Sequence, residues 1–163
     1  MIEPIAGALS TASIVVVVDD ELDLQRLVAR LVRRYGTDYD VIGVHSGADA
    51  IARLSNLRDA AREVAIVLAD HHLSDGSGIA FLTRVQPLHS GAKRALLVSA
   101  ADVWGAAVTM DFVRAASQGA IDAFIQKPVV EPDEQFHLAI AEFLEEWARA
   151  PFHPGARDAR SER

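Results

Sequence analysis

The chain of 163 residues contains no cysteine, which excludes disulfides, thiolate nucleophiles and zinc-thiolate sites within it. No apolar run approaches the ~20 residues needed to cross a bilayer, and Met1 to Ser13 has no basic start ahead of its apolar residues. A cytoplasmic protein without a membrane partner is expected. Positive charge is short: the net charge is -7, which argues against nucleic acid as a direct partner. Lysine is scarcer still, occurring only as Lys93 and Lys127 among many arginines. A lysine used so sparingly draws attention to its setting. What remains is an ordinary globular balance, half hydrophobic and 24% charged, in a chain long enough for one domain with a real core.

The apolar pattern alternates between strand and helix. Ile14–Val18 is an unbroken β-branched run closed by Asp19 and Asp20. Leu24, Leu27, Val28, Leu31 and Tyr35 then recur at helical spacing up to Gly36. Tyr39–Val44 reads as a second strand, and Ser46 can cap a helix carrying Ile51 and Leu54. Val64–Ala69 is a third buried strand, ended by Asp70 and followed by the turn formers Asp75, Gly76, Ser77 and Gly78. A short helix with Ile79, Leu82 and Val85 stops near Pro87.

Ala95–Ser99 is the fourth strand, a helix from about Val103 to Gln118 follows, and Ile121–Gln126 is the fifth strand, ended by Lys127 and Pro128. The last helix, from about Asp133 to Arg149, carries Phe136, Ile140, Phe143, Leu144 and Trp147 as one stripe, with Glu142, Glu145 and Glu146 outward. Five alternations predict an α/β fold, a doubly wound parallel sheet with helices on both faces and right-handed crossovers. Residues 14–149 form the domain on this reading, with tails at 1–13 and 150–163.

Parallel strands end on one edge, which gathers Asp19, Asp20, Asp70, Ser99 and Lys127. Three carboxylates together need a cation or protonation to offset their repulsion. With oxygen ligands only, the expected ion is Mg²⁺. A metal held by acids beside a lysine and a hydroxyl suits a phosphoryl group, and an ionised carboxylate can itself be the nucleophile, giving an acyl phosphate. Asp70, on the central strand, is the candidate. Each part alone has a plainer reading: Asp19 and Asp20 as helix caps, Asp70 as a turn residue, Lys127 as a surface lysine. A zinc site at His71 and His72 lacks further histidines at useful spacing, and no Gly-Lys-Ser/Thr makes Gly76 and Gly78 a phosphate loop.

The ordered set VVDDE, LADHHLSDGSG, LLVSAA and FIQKPV resembles the receiver domains of two-component response regulators, over roughly Ile14 to Trp147. The resemblance implies a flavodoxin-like (βα)5 fold with strand order 2-1-3-4-5. It further implies that Asp70 takes a phosphoryl group from a sensor histidine kinase or histidine phosphotransfer protein. Asp19, Asp20, Asp70 and the backbone carbonyl of His72 would hold Mg²⁺. Lys127, Ser99 and Ala100 would bind the phosphate, and Ser99 and Phe124 would be switch residues. Such a domain is a phosphoacceptor that assists its own phosphorylation and dephosphorylation rather than an enzyme, and here it stands alone, with output through an effector protein or a homodimer.

Three departures from that pattern bear on the phosphorylated state: Ser74 replaces the usual proline, Phe124 the commoner tyrosine, and His72 lies two residues beyond the phosphosite. The span between Ser99 and Lys127 is longer than in the shortest receivers. The segment KPVVEPDEQFHLAIAEFLEEW is similar to the last helix of receivers fused to thioredoxin-reductase-like flavoproteins, although no Cys-x-x-Cys or Gly-x-Gly-x-x-Gly is present. Val103, Trp104, Val108, Met110, Phe112 and Val113 make the fourth helix apolar around its circumference, which predicts an interface there. Two other functional classes stand beside the switch. One is a receiver-like interaction module insensitive to phosphorylation. The other is a Mg²⁺-dependent hydrolase, disfavoured because His72 stands where a second catalytic acid belongs.

Overall fold

The computed structural model describes residues 11–99, 105–128 and 133–150, the side chains of 106–108 excepted. In chain order the elements are β1 (Ser13–Val17), α1 (Glu21–Tyr35), β2 (Asp40–Val44), α2 (Gly47–Asp59), β3 (Val64–Asp70), β4 (His72–Leu73), β5 (Gly76–Ser77), α3 (Gly78–Val85), β6 (Lys93–Val98), α4 (Ala106–Ser117), β7 (Ala123–Gln126) and α5 (Glu134–Arg149). Five strands pair in parallel in the order β2-β1-β3-β6-β7. Without the two-residue strands β4 and β5, this is the expected 2-1-3-4-5.

The central strands have no polar face. Along β1, Ile14 and Val16 pack with α1 and α5 residues such as Leu27, Leu31, Ile140 and Trp147. Val15 and Val17 pack on the other side with Leu54 of α2, Leu82 of α3 and Phe112 of α4. Alternation therefore sorts one continuous apolar run into two cores, the signature of a doubly wound sheet. Trp147 belongs to the first of these, edge-on to Tyr39 with ring centres 6.4 Å apart.

Local chemistry sets the helix starts. The side chains of Asp20, Ser46 and Ser77 accept from the backbone N–H groups of Asp23, Asp49 and Ala80, capping α1, α2 and α3. Arg30 of α1 bonds Asp133 at the start of α5, and Tyr35 donates to the carbonyl of His137 at 3.1 Å, tying the two helices of one face together.

The structure adds and corrects several details. β4 and β5 form an antiparallel hairpin directly after Asp70, turning at Ser74 and Asp75, and Gly76 there has φ +146°, a conformation that needs glycine. Two-residue strands are too short to show a period in the sequence. The fourth helix is not apolar all round as a free surface. Phe112 is a core residue, 1% exposed, because it projects from α4 onto the sheet; among the described residues of that helix, Met110 and Val113 are the large apolar side chains left exposed. Trp104 and the side chain of Val108, proposed with Phe112 as an interface, lie outside the described residues, as do nearly all of both expected tails. Among the described residues no helix is long and apolar enough to cross a membrane.

Candidate functional site at the carboxyl edge of the sheet

Register fixes which residues share the edge. Val17 lies opposite Ala69, Asp70 opposite Leu97, and Val98 opposite Gln126. Asp19 and Asp20 thus follow β1, Asp70 closes β3, Ser99 follows β6 and Lys127 follows β7, all at the same end. The sheet bonding continues slightly past these strands: the N–H of His71 donates to Leu97 at 3.0 Å and that of Lys127 to Val98 at 2.8 Å. The positions of Asp70 and Lys127 are therefore set by main-chain bonds.

The central contact is the ion pair between Lys127 Nζ and Asp70 Oδ2, 2.8 Å apart, with side chains 19% and 15% exposed. Lys127 Nζ also lies 3.6 Å from Asp23 Oδ2. Partial burial works against the ammonium charge, but the hydrogen bond and charge of Asp70, joined by Asp23, outweigh it and raise the pKa of Lys127 above its ordinary value. The lysine is a fixed cation at neutral pH. Asp19 and Asp20, at the same end of the sheet, are exposed. Asp20 is indeed a helix cap, with Oδ1 accepting from Asp23 at 2.9 Å. Capping and a site role are compatible, since a carboxylate has a second oxygen.

Three residues of this region carry roles that the sequence reading missed. Asp23 joins the site because the first turn of α1 rises from Asp20 over the same edge, a signal present in its spacing from the cap. Asp75, read only as a turn former, accepts from Gly47 N at 3.1 Å and Ala48 N at 2.8 Å, clamping the hairpin to the start of α2. These backbone donors hold its pKa below the ordinary 3.8. A group with a lowered folded pKa stabilises above its unfolded value and loses that contribution as pH falls through the folded one. Asp75→Ala is thus expected to melt below wild type at neutral pH, with the gap closing as pH drops below 3.8. A thermal melt series over acid pH measures this.

The third is His71. Buried beside Asp70, its ring lies 4.3 Å from that of His72 and 5.1 Å, edge-on, from Phe112. Phe112 in turn is 5.2 Å from Phe124, which is 44% exposed on β7. Rings therefore run from the residue after Asp70 to the outer strand. Ser99 is exposed at the end of β6, and Ala100 lies outside the described residues. Among the described residues, no three His, Asp or Glu side chains stand close enough to hold a metal as the chain lies.

No protein-family model matches the sequence, and no curated protein matches it. Solved structures do match. The chain is similar to the signal receiver domain of an HD domain-containing protein from Pseudomonas fluorescens, at 24% identity and TM-score 0.66 over 85% of this chain and 90% of that one. A CheY-like response regulator receiver domain protein from Methanospirillum hungatei is 19% identical with TM-score 0.63, covering 85% and 98%. A protein described as adenylate cyclase from Rhodopirellula baltica is 18% identical with TM-score 0.63, covering 84% and 90%. The order of its strands and these likenesses agree: the chain has the fold of response-regulator receiver domains.

Proposed function

We propose that the chain is a phosphorylation-dependent signalling switch in which Asp70 accepts a phosphoryl group. The observation that carries this reading is the 2.8 Å pair between Lys127 and Asp70, with Asp19, Asp20 and Ser99 at neighbouring strand ends. A carboxylate oxygen of Asp70 attacks phosphorus, the bond from phosphorus to the donor's leaving group breaks, and the acyl phosphate forms. The Lys127 ammonium is placed to pass from the carboxylate to the phosphoryl oxygens. The Ser99 hydroxyl can donate to the same oxygens.

The donor set suits Mg²⁺. Asp20 spends Oδ1 on its cap and Asp70 spends Oδ2 on Lys127, leaving one oxygen of each without a hydrogen bond among the described residues. These two, Asp19 and the His72 carbonyl would hold the ion, which neutralises charge on the phosphoryl group when bound. Drawing the acids onto an ion takes side-chain rotation from their present positions. Donors of matching chemistry are a histidine kinase or a histidine phosphotransfer protein. Phosphorylation adds charge of roughly -1 to -2 at this edge. Output would pass to a partner protein or a second copy.

Incubating the chain with Mg²⁺ and acetyl phosphate tests the reading. One phosphoryl group per chain is expected, removed by hydroxylamine as an acyl phosphate and absent when a chelator replaces Mg²⁺. A label that resists hydroxylamine or forms without Mg²⁺ would refute it.

A further inference from the structure

The opposite end of the sheet holds a cavity of about 620 Å³, where β3 and β6 begin. It lies about 20 Å from Asp70, the length of a seven-residue strand, and none of its lining residues belongs to the site around Asp70. Its walls mix apolar groups, Val64, Leu88 and Trp147, with a concentration of cations. Arg58, Arg62, Lys93 and Arg94 line it against Glu63 and Asp122, four positive charges to two negative in a chain whose net charge is -7.

The cations differ in their partners. Arg58, Arg62 and Lys93 reach Asp59, Asp40 and Glu146 at 3.6, 3.2 and 3.1 Å, pairs at partly exposed positions that are weakly held in water. Arg94 is 8% exposed, and no carboxylate pairs with it among the described residues. Asp122 accepts from the backbone N–H of Arg94 at 2.7 Å, and the guanidinium has one hydrogen bond, from Nη1 to the carbonyl of Ala120 at 3.3 Å. Its buried Nε–H has no acceptor among the described residues, and the same holds for the buried Nε–H of Arg62 on the cavity's other wall. Buried donors without acceptors cost free energy, and a buried arginine without a counter-ion costs more. Arg62 and Arg94 both line this cavity beside Arg58 and Lys93, a cationic wall complementary to an oxyanion.

We propose that this cavity binds a small phosphate ester, its phosphate oxygens accepting from the guanidinium groups of Arg62 and Arg94 that line it. The space is far larger than a bare ion needs and falls within the range of small-molecule sites. The apolar wall of Leu88 and Trp147 suits the organic part of an ester.

Isothermal titration of the full chain with AMP, inorganic phosphate and adenosine tests the site, with amide NMR to locate it. AMP should bind saturably and shift the amides of residues 61–64 and 91–94. Adenosine should not bind, and inorganic phosphate should bind more weakly than AMP. Arg94→Met should weaken AMP at least tenfold while melting at or above the wild-type temperature, since an apolar side chain removes a buried charge. Should that variant fail to fold, Arg62→Met must show the same loss. No saturable AMP binding, equal binding of adenosine, or undiminished binding in the variant that folds would each overturn the proposal.

Discussion

Asp70→Asn is expected to abolish labelling by acetyl phosphate completely while leaving the fold intact. Asparagine has the shape of aspartate and keeps an oxygen that can accept from Lys127, so the 2.8 Å contact can persist without a nucleophile. An amide oxygen carries no full negative charge and does not attack phosphorus at a useful rate. The lysine retains Asp23 as a counter-charge at 3.6 Å, and the crowding of acids at this edge falls by one. These changes oppose each other in stability. The thermal midpoint should stay within about 4 °C of wild type, the upper shift for ~1 kcal/mol in a chain of this length. Labelling of the variant at the wild-type level would move the phosphosite elsewhere and end the assignment.

The sheet was legible in the sequence because its central strands are apolar on both faces and its edge strands are short apolar-rich runs, all standing out against polar connections. Their ends were legible for the same reason, and Asp70 and Lys127 meet as strand order requires. Contacts that depend on direction were not legible. Whether Phe112 or Val113 faces the sheet depends on the rotation of α4 about its axis, and an almost uniformly apolar helix carries no polar face to fix it. Asp75 caps a helix 27 residues earlier in the chain, and nothing local marks that partner. In the sequence Arg94 stands just ahead of the apolar run read as a strand from Ala95, a place where a charged residue is usual at a surface. Only the packing around β6 reveals its burial.

The ring series from His71 through Phe112 to Phe124 ties the phosphosite loop to the outer strand through the core. Phe112 cannot yield much space, because it is fully enclosed. Phe124, at 44% exposure, is the end of the series with open space around it. Change at the loop would therefore be felt most readily at β7, beside the exposed Met110 and Val113 of α4. Under the proposed switch, any surface biased by Asp70 would lie on this side of the molecule.

Gly78→Ala is the substitution with the largest expected cost to the fold, and its sign is not obvious. Alanine is a better helix former than glycine by about 1 kcal/mol, and Gly78 opens α3 with an unexceptional backbone conformation. Packing decides otherwise. A Cβ there would sit 2.1 Å from the backbone oxygen of Asp70 and 2.7 Å from Leu96 Cδ1, while Gly78 N–H donates to His71 at 2.9 Å. The obstacle is main chain in the central strand, which cannot rotate aside. Either α3 moves outward, opening the Leu82 and Val85 contacts, or the end of β3 moves and carries Asp70 with it. Overpacking of this kind costs roughly 3 kcal/mol or more, which exceeds the helix gain. The net loss of about 2 kcal/mol lowers the thermal midpoint by roughly 4–8 °C. Labelling should slow by about tenfold or more, because a shift of order 1 Å at a reacting group is that costly. Gly91→Ala is the control, since its Cβ would meet nothing within 4 Å, and it should melt at or above wild type. A Gly78→Ala midpoint at or above wild type would show that the close approach of α3 to Asp70 does not constrain the site.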